Sequence, residues 1–302
     1  LPDSLSVTYL TNSGTEAIEA AMKLSKRVTG RSKIISANNG YHGNTQGAMS
    51  IMGFEDRKRA YRPLIPGIKF IDFNNCEHIK QIDNNTASVI LETIQGGAGF
   101  ILPNKGFLQQ VKKKCDEVGA LLILDEIQPG IGRTGKLFAF EHYSIVPDIL
   151  VYGKGLGGGF PIGAMTTDYK KMNLFKKNPI LGHITTFGGH PVISAAAYAN
   201  LKETIDSGIM NEIDGKEKLF RKLLKHELIL EIRGKGLMLA LMMKNKEISK
   251  KLISISLSKG LILFGLLFEP KAVRITPPLT IKIKEIILGC SIILDILNND
   301  VD

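Results

Sequence analysis

Four short stretches carry residue types that could do chemistry together. "VYGKGLGGGFPIG", Val151 to Gly163, sets Lys154 among six glycines. Glycine loses much chain entropy on folding, so glycines this dense suit a backbone that turns tightly or lets another group come close. A lysine leaving a buried strand into such a turn can lose water, which favours the neutral, nucleophilic amine. "ALLILDEIQ" ends an apolar run at Asp125 and Glu126, with Gln128 two residues on. A carboxylate there is costly unless it meets a cation. "TNSGTEA" offers Ser13, Gly14 and Thr15 directly before a helical pattern, where free N–H groups, hydroxyls and the helix dipole suit a phosphate. "NGYHGN" places Tyr41 and His42 at a glycine-flanked turn, where an aromatic ring can stack on a flat ligand.

Each stretch alone also has a plain structural reading. These are a surface lysine in a loop, a structural salt bridge, an ordinary helix cap and a core or interface aromatic. Together they make a phosphate cradle, a stacking ring, a buried carboxylate and a strand-end lysine, which are the groups that pyridoxal phosphate needs. The carboxylate keeps the pyridine nitrogen protonated, so the ring can accept electrons. The lysine bonds the aldehyde carbon.

Two other glycine patterns fail on their context. "GIGRTGK" has the spacing of a nucleotide P-loop, but Leu137 stands where Ser or Thr must hold magnesium. "GKGLGG" matches a dinucleotide fingerprint, but "GFPIGAM" follows instead of a helix.

The elements that must position these residues alternate along the chain. Residues 15–30 read as a helix with a glycine stop, and 33–37 as a strand. A helix is expected near 45–52 and a short one near 77–82. Strands are expected at "IKFIDF", "ASVILE", "ALLILDE", "PDILVYG" and "GAMTT", with helices at "KGFLQQVKKKCDEVG" and 191–206. Several strands are continuously apolar, as in a parallel sheet covered on both faces. The greasiest run, "GLILFGLLF" at 260–268, reads as a buried strand. The expected organisation is α/β, with a large domain over 1–208 and a smaller α/β domain over 209–302.

Composition excludes several classes. The chain has 302 residues, 44% of them apolar and 23% charged, which gives ample chain for a core and no segment apolar enough to span a membrane. Its +10 charge is mostly lysine spread over helices, without the aromatic interleaving of a nucleic-acid surface, so it reads as solvated surface able to attract anionic substrates. Three scattered cysteines suggest neither a disulfide framework nor a zinc site, and favour a reducing cytoplasm. Residue 1 is Leu and no signal peptide is visible, so a fragment or a processed form is expected.

The sequence resembles the class III pyridoxal-phosphate aminotransferases, close to the acetylornithine and ornithine aminotransferases. The resemblance rests on "NSGTEAIEAAMKLS", "YHGNT", "ETIQGGAG", "LLILDEIQPGIGRTGKLFAFEH", "PDILVYGKGLGGGFPIGA", "TTFGGHP" and "VRITPPLTI", in the family's order over nearly the whole chain. It implies a fold type I transferase with a seven-stranded, mostly parallel sheet. It implies that Lys154 is the Schiff-base lysine and proton shuttle, that Asp125 pairs with the pyridinium nitrogen and that Gln128 contacts the ring's phenolic oxygen. Tyr41 would stack on the ring, and Gly14 and Thr15, with Ser13 nearby, would hold the phosphate. Thr186 would reach the phosphate of a neighbouring subunit, which makes the expected enzyme a homodimer with shared sites. Glu92 would line the pocket and Arg274 would bind a substrate carboxylate. The implied reaction moves an amino group from an ornithine-like or acylornithine-like donor to 2-oxoglutarate by a ping-pong route, within amino-acid metabolism such as arginine biosynthesis.

The chain departs from the family at three places. Gly97 stands where ornithine-type relatives carry Glu, and Asn44 where acetylornithine-type relatives often carry Arg. Only eleven residues precede Asn12, where relatives carry a substantial segment. Two alternatives therefore stay open: another class III reaction on the same cofactor, and a truncated, non-catalytic remnant.

Overall fold

The computed structural model describes residues 1–300, and the backbone forms two compact units. The first comprises Leu1–Thr93, Pro103–Ile131 and Phe138–Glu203; the second comprises Ile94–Leu102, Gly132–Leu137 and Thr204–Asp302.

In the first unit the chain runs through β1 (Val7–Thr11), α1 (Gly14–Thr29), β2 (Lys33–Ala37), α2 (Gln46–Ser50), β3 (Ile68–Ile71) and β4 (Thr86–Glu92). It continues through α3 (Phe107–Val118), β5 (Leu121–Asp125), β6 (Ile149–Gly153), β7 (Gly163–Thr167), α4 (Tyr169–Met172) and α5 (Pro191–Asp206). The strands form a seven-stranded sheet in the order β1-β7-β6-β5-β4-β2-β3. The β2–β3, β2–β4, β4–β5 and β5–β6 pairs are parallel. β7 is antiparallel to both β6 and β1, so β7 alone runs against the other strands. The carboxyl ends of β1, β2, β4, β5 and β6 therefore share one edge of the sheet. β1 has no counterpart among the expected strands, because its five residues mix polar and apolar types without a buried run.

α1 forms for local and packing reasons. Ser13 caps it by accepting the Glu16 N–H at 3.4 Å, and Gly30 ends it at φ 67° with its N–H on the Lys26 carbonyl. Its Ala17, Ile18, Ala21 and Leu24 pack with Ile90, Ile123, Val151 and Met165 of the sheet. The alternate strand residues Val89, Leu91, Leu122, Leu124 and Leu150 are equally buried and face the other way. α3, whose Phe107, Leu108, Val111 and Cys115 lie outside the α1 cluster, packs on β4 and β5. Burial on both faces explains why these strands read as continuous apolar runs.

The second unit holds α6 (Ile209–Leu223), β8 (Ile229–Lys235), β9 (Met238–Met243), α7 (Lys246–Ser258), β10 (Phe264–Gly265), β11 (Ala272–Ile275) and α8 (Ile283–Asn299). Its four strands form an antiparallel sheet, β10-β11-β9-β8. Leu237, Leu239, Leu241, Val273, Ile286, Cys290 and Ile293 centre its core.

The run at 260–268 corrects an expectation. It is not a buried strand: Gly260 turns at φ 80°, only the two residues of β10 pair, and Ile262, Phe264 and Leu267 are exposed. The run sits at the sheet edge and is cut short by Pro270, which has no N–H to donate. Among the described residues no helix is long and apolar enough to cross a membrane, and no group of His, Cys, Asp and Glu could hold a metal ion.

Candidate functional site

The carboxyl edge of the large sheet gathers most of the residues singled out in the sequence. Glu92 and Asp125 end adjacent strands and stand opposite one another in register. Both are buried. Glu92 accepts the Tyr41 N–H at 3.0 Å, and Asp125 Oδ2 meets His42 Nδ1 at 2.8 Å. Two neighbouring carboxylates thus pin the Tyr41–His42 turn that follows β2.

His42 is wholly shut off from water at its side chain, with Nε2 3.4 Å from Ser36 Oγ. Burial opposes a charged imidazole, but the hydrogen bond and charge of Asp125 outweigh it and hold the ring's pKa above its ordinary value. The sequence placed His42 at this turn without giving it a task; its contact with Asp125 is long-range and has no local signal. Tyr41 is half-buried, and burial is the main cause of its raised hydroxyl pKa.

Asp125 Oδ1 accepts the Ile127 N–H at 2.9 Å. The Ile127 side chain lies against Gly14 so closely that a Cβ at Gly14 would fall 2.6 Å from Ile127 Cδ1. Across the same turn, a Cβ at Gly153 would lie 3.0 Å from the Ile162 carbonyl oxygen and 3.7 Å from Gly14 Cα. Asp125, Ile127, Gly14, Gly153 and Lys154 thus form one chain of contacts, and Gly14 and Gly153 are the small residues that permit it. The N–H groups of Gly14 and Thr15, in the first turn of α1, have no partner within the helix and carry the positive end of its dipole. Asn12 Oδ1, just before the cap, is buried without a partner. Thr15 Oγ1 shares a 3.0 Å hydrogen bond with Thr45 Oγ1.

Lys154 follows β6 at φ 40°, a left-handed backbone that few side chains adopt. Its side chain is exposed rather than withdrawn from water. The turn behind it is fixed by Asn200 of α5, whose amide donates to the Gly155 carbonyl at 2.6 Å. Asn200 escaped the sequence reading, because it lies 45 residues from its partner. Gln128 is partly buried, three residues beyond Asp125.

Among the described residues no hydrogen bond joins Thr186 or Asn44 to this cluster. Thr186 is exposed on the segment before α5; its neighbour Thr185 donates to the Leu10 carbonyl at 3.5 Å. Asn44 is exposed. Arg274 belongs to the second unit, on β11. Its guanidinium lies 5.1 Å from the Phe264 ring centre, and its Nε is buried with no acceptor. Burial lowers its pKa, and burial also lowers that of Arg133, with the charge of Arg274 adding to the effect. Arg133 is engaged by the carbonyls of Leu237 and Pro277. Arg274 is therefore a cation suited to an incoming carboxylate. Gly97, in the same unit, is backed by Phe268: a Cβ there would lie 2.9 Å from the ring.

A buried carboxylate, a stacking ring, an anion cradle and an amine on one sheet edge can together hold a flat, phosphorylated, nitrogen-containing ring. The sequence model of the family described as Aminotransferase class-III matches residues 2–297. A [LysW]-aminoadipate semialdehyde/glutamate semialdehyde transaminase of Sulfurisphaera tokodaii is 40% identical over 246 residues, which cover 80% of this chain and 62% of that protein. An ornithine aminotransferase from Toxoplasma gondii, solved with partial occupancy of PLP at its active site, superposes with a TM-score of 0.90 at 30% identity, over 97% of this chain and 72% of that one. An aminotransferase from Bacillus anthracis gives 0.89 at 27% identity, over 97% and 76%.

Proposed function

The chain belongs to the class III aminotransferase family, and from that premise we propose that it is a pyridoxal-phosphate-dependent transaminase. The amino group leaves the terminal amine of an ornithine-like or acylornithine-like donor and goes to 2-oxoglutarate. The donor becomes a semialdehyde, the acceptor becomes its amino acid, and atoms balance without an oxidant. The relatives support this donor class: one acts on semialdehydes and another is an ornithine enzyme.

The observation that carries the reading is the run of contacts from Asp125 through Ile127 and Gly14 to Gly153 and Lys154. Pyridoxal phosphate bound there supplies an electron-accepting ring that steadies negative charge on the donor's reacting carbon. Each residue then has work of its own. Gly14 and Thr15 N–H groups, with the α1 dipole, hold the phosphate. Asp125, oriented by His42 and the Ile127 N–H, holds a proton on the ring nitrogen. Tyr41 would cover one ring face and Gln128 would donate to the phenolic oxygen. Lys154 Nζ would anchor the cofactor's carbonyl carbon and, once free, would carry a proton from the donor's reacting carbon to that cofactor carbon. Glu92 lines the pocket and Arg274 takes a substrate carboxylate. Thr186 serves the phosphate site of a second copy, so the working form is a homodimer.

Borohydride reduction followed by peptide mapping tests the assignment. The cofactor's mass is expected on the peptide that contains Lys154, and Lys154→Ala should lose both that mass and transamination. Label on another lysine, or undiminished turnover in Lys154→Ala, would sink the reading. A kinetic panel of ornithine, N-acetylornithine and 4-aminobutyrate then ranks the donors.

A further inference from the structure

Glu126 has no part in that mechanism, yet its side chain is wholly buried beside Asp125. Three donors converge on its carboxylate: the Thr93 hydroxyl at 2.7 Å, the Ala139 N–H at 2.9 Å and the Phe140 N–H at 2.7 Å. Thr93 directly follows Glu92 at the end of β4, and Glu126 directly follows Asp125 at the end of β5. Between Glu126 and Ala139 the backbone makes an excursion, residues 127–138, that begins with Ile127 and Gln128. Glu126 therefore sits at one end of the excursion, grips the other end, and fastens both to β4.

We propose that Glu126 is a positioning residue for the cofactor site: by closing the 127–138 excursion it sets where Ile127 and Gln128 stand. The proposal rests on the pyridoxal-phosphate reading of that site. Ile127 both donates to Asp125 and packs on Gly14, so a shift of this segment reaches the carboxylate and the phosphate cradle together. The chemistry of the clamp calls for a carboxylate. Its two oxygens accept three hydrogen bonds from two directions, Oε1 from Thr93 and Phe140 and Oε2 from Ala139. A glutamine has one accepting oxygen, and its amide N–H groups would face a donor on the other side. Burial leaves no water to repair the mismatch.

The test uses the full chain with Glu126→Gln and Thr93→Val, each alone and combined with Gln128→Ala. Without added cofactor, amide hydrogen exchange at Ala139 and Phe140 should quicken about tenfold in Glu126→Gln, the expected size for one lost buried hydrogen bond. The Gln128 side-chain amide resonances should move. With cofactor, the dissociation constant for pyridoxal phosphate should rise about tenfold. Gln128→Ala should then weaken binding less in the Glu126→Gln background than alone, because a displaced Gln128 has little left to lose. Thr93→Val, which removes a single donor and keeps the carboxylate, should show the same pattern at smaller size. It carries the test if Glu126→Gln does not fold. Unchanged exchange and unmoved Gln128 resonances overturn the proposal, as do effects on affinity that simply multiply. If the parent chain itself takes up no pyridoxal phosphate, the site reading fails, while exchange and resonances still decide whether Glu126 positions Gln128.

Discussion

Glu126 ties its own ionisation to the stability of the fold. Burial pushes its carboxyl up to about 7 from an ordinary value of 4.5; the neighbouring Asp125 charge adds to this, and the bonds from Thr93, Ala139 and Phe140 oppose it. Tyr143 is itself pushed up to about 12, by burial and then by the charge of Glu126. The native state holds the Glu126 proton more tightly than the unfolded chain does. The stabilisation is fully present below about 4.5 and is lost as pH rises through about 7. Its size is on the order of 3 kcal/mol. Urea unfolding of the parent and of Glu126→Gln between these limits should show the parent losing stability relative to the variant as pH rises. A difference that stays flat would mean that this carboxyl titrates normally.

At the scale of elements, the proposed function makes α1 a link between stability and ligand holding. Ser13 caps it and stands beside the Gly14 and Thr15 N–H groups. Ser13→Ala should cost about 1 kcal/mol in thermal or urea unfolding, the usual worth of such a cap. It should also weaken pyridoxal phosphate retention, read by equilibrium dialysis; an unchanged midpoint would deny the cap its role. The helices and central strands that carry the site were legible in the sequence. Val89–Leu91 and Leu121–Leu124 are continuously apolar because both faces are covered, and that pattern survives without knowledge of partners. Lys154, Asp125 and the Ser13–Thr15 turn could be picked out because each sits where an apolar strand stops or a helix starts. Three things could not be read. β1 is a short strand of mixed polarity, and only its pairing with β7 makes it a strand. "GLILFGLLF" is apolar enough for a core, but the edge position of β10 leaves most of it exposed. The His42–Asp125 and Asn200–Gly155 bonds join residues far apart in sequence, and spacing holds no trace of them.

At the scale of the molecule, one stretch of the first unit leaves many large apolar side chains exposed. Ile180, Leu181, Ile184, Phe187, Val192 and Tyr198 are all at least 60% exposed and fall within one stretch of chain that also holds Thr186. Exposed apolar residues gathered together mark interaction sites in other proteins, and the proposed homodimer would cover these. Light scattering should give a mass near twice 33.1 kDa. The pair Ile184→Asp and Phe187→Asp should yield monomers with little transamination, because Thr186 then has no partner site to serve. A monomeric parent with full activity would remove both the dimer and the shared site. The chain spans 62% of the length of the Sulfurisphaera tokodaii transaminase that it matches, and both measurements concern the 302-residue chain itself.

The direction of the strands has one more consequence. Because β7 alone is reversed, the side chains proposed for the chemistry of the first unit crowd one rim of the sheet. The opposite rim, with the turns at Gly30–Ser32, Asp83–Asn85 and Gly119, carries none of them. Heritable change at that second rim can alter how long the protein lasts without altering what it transforms, while change at the first rim can redirect chemistry on an unaltered frame. A lineage with this layout can explore new substrates and new temperatures as separate problems.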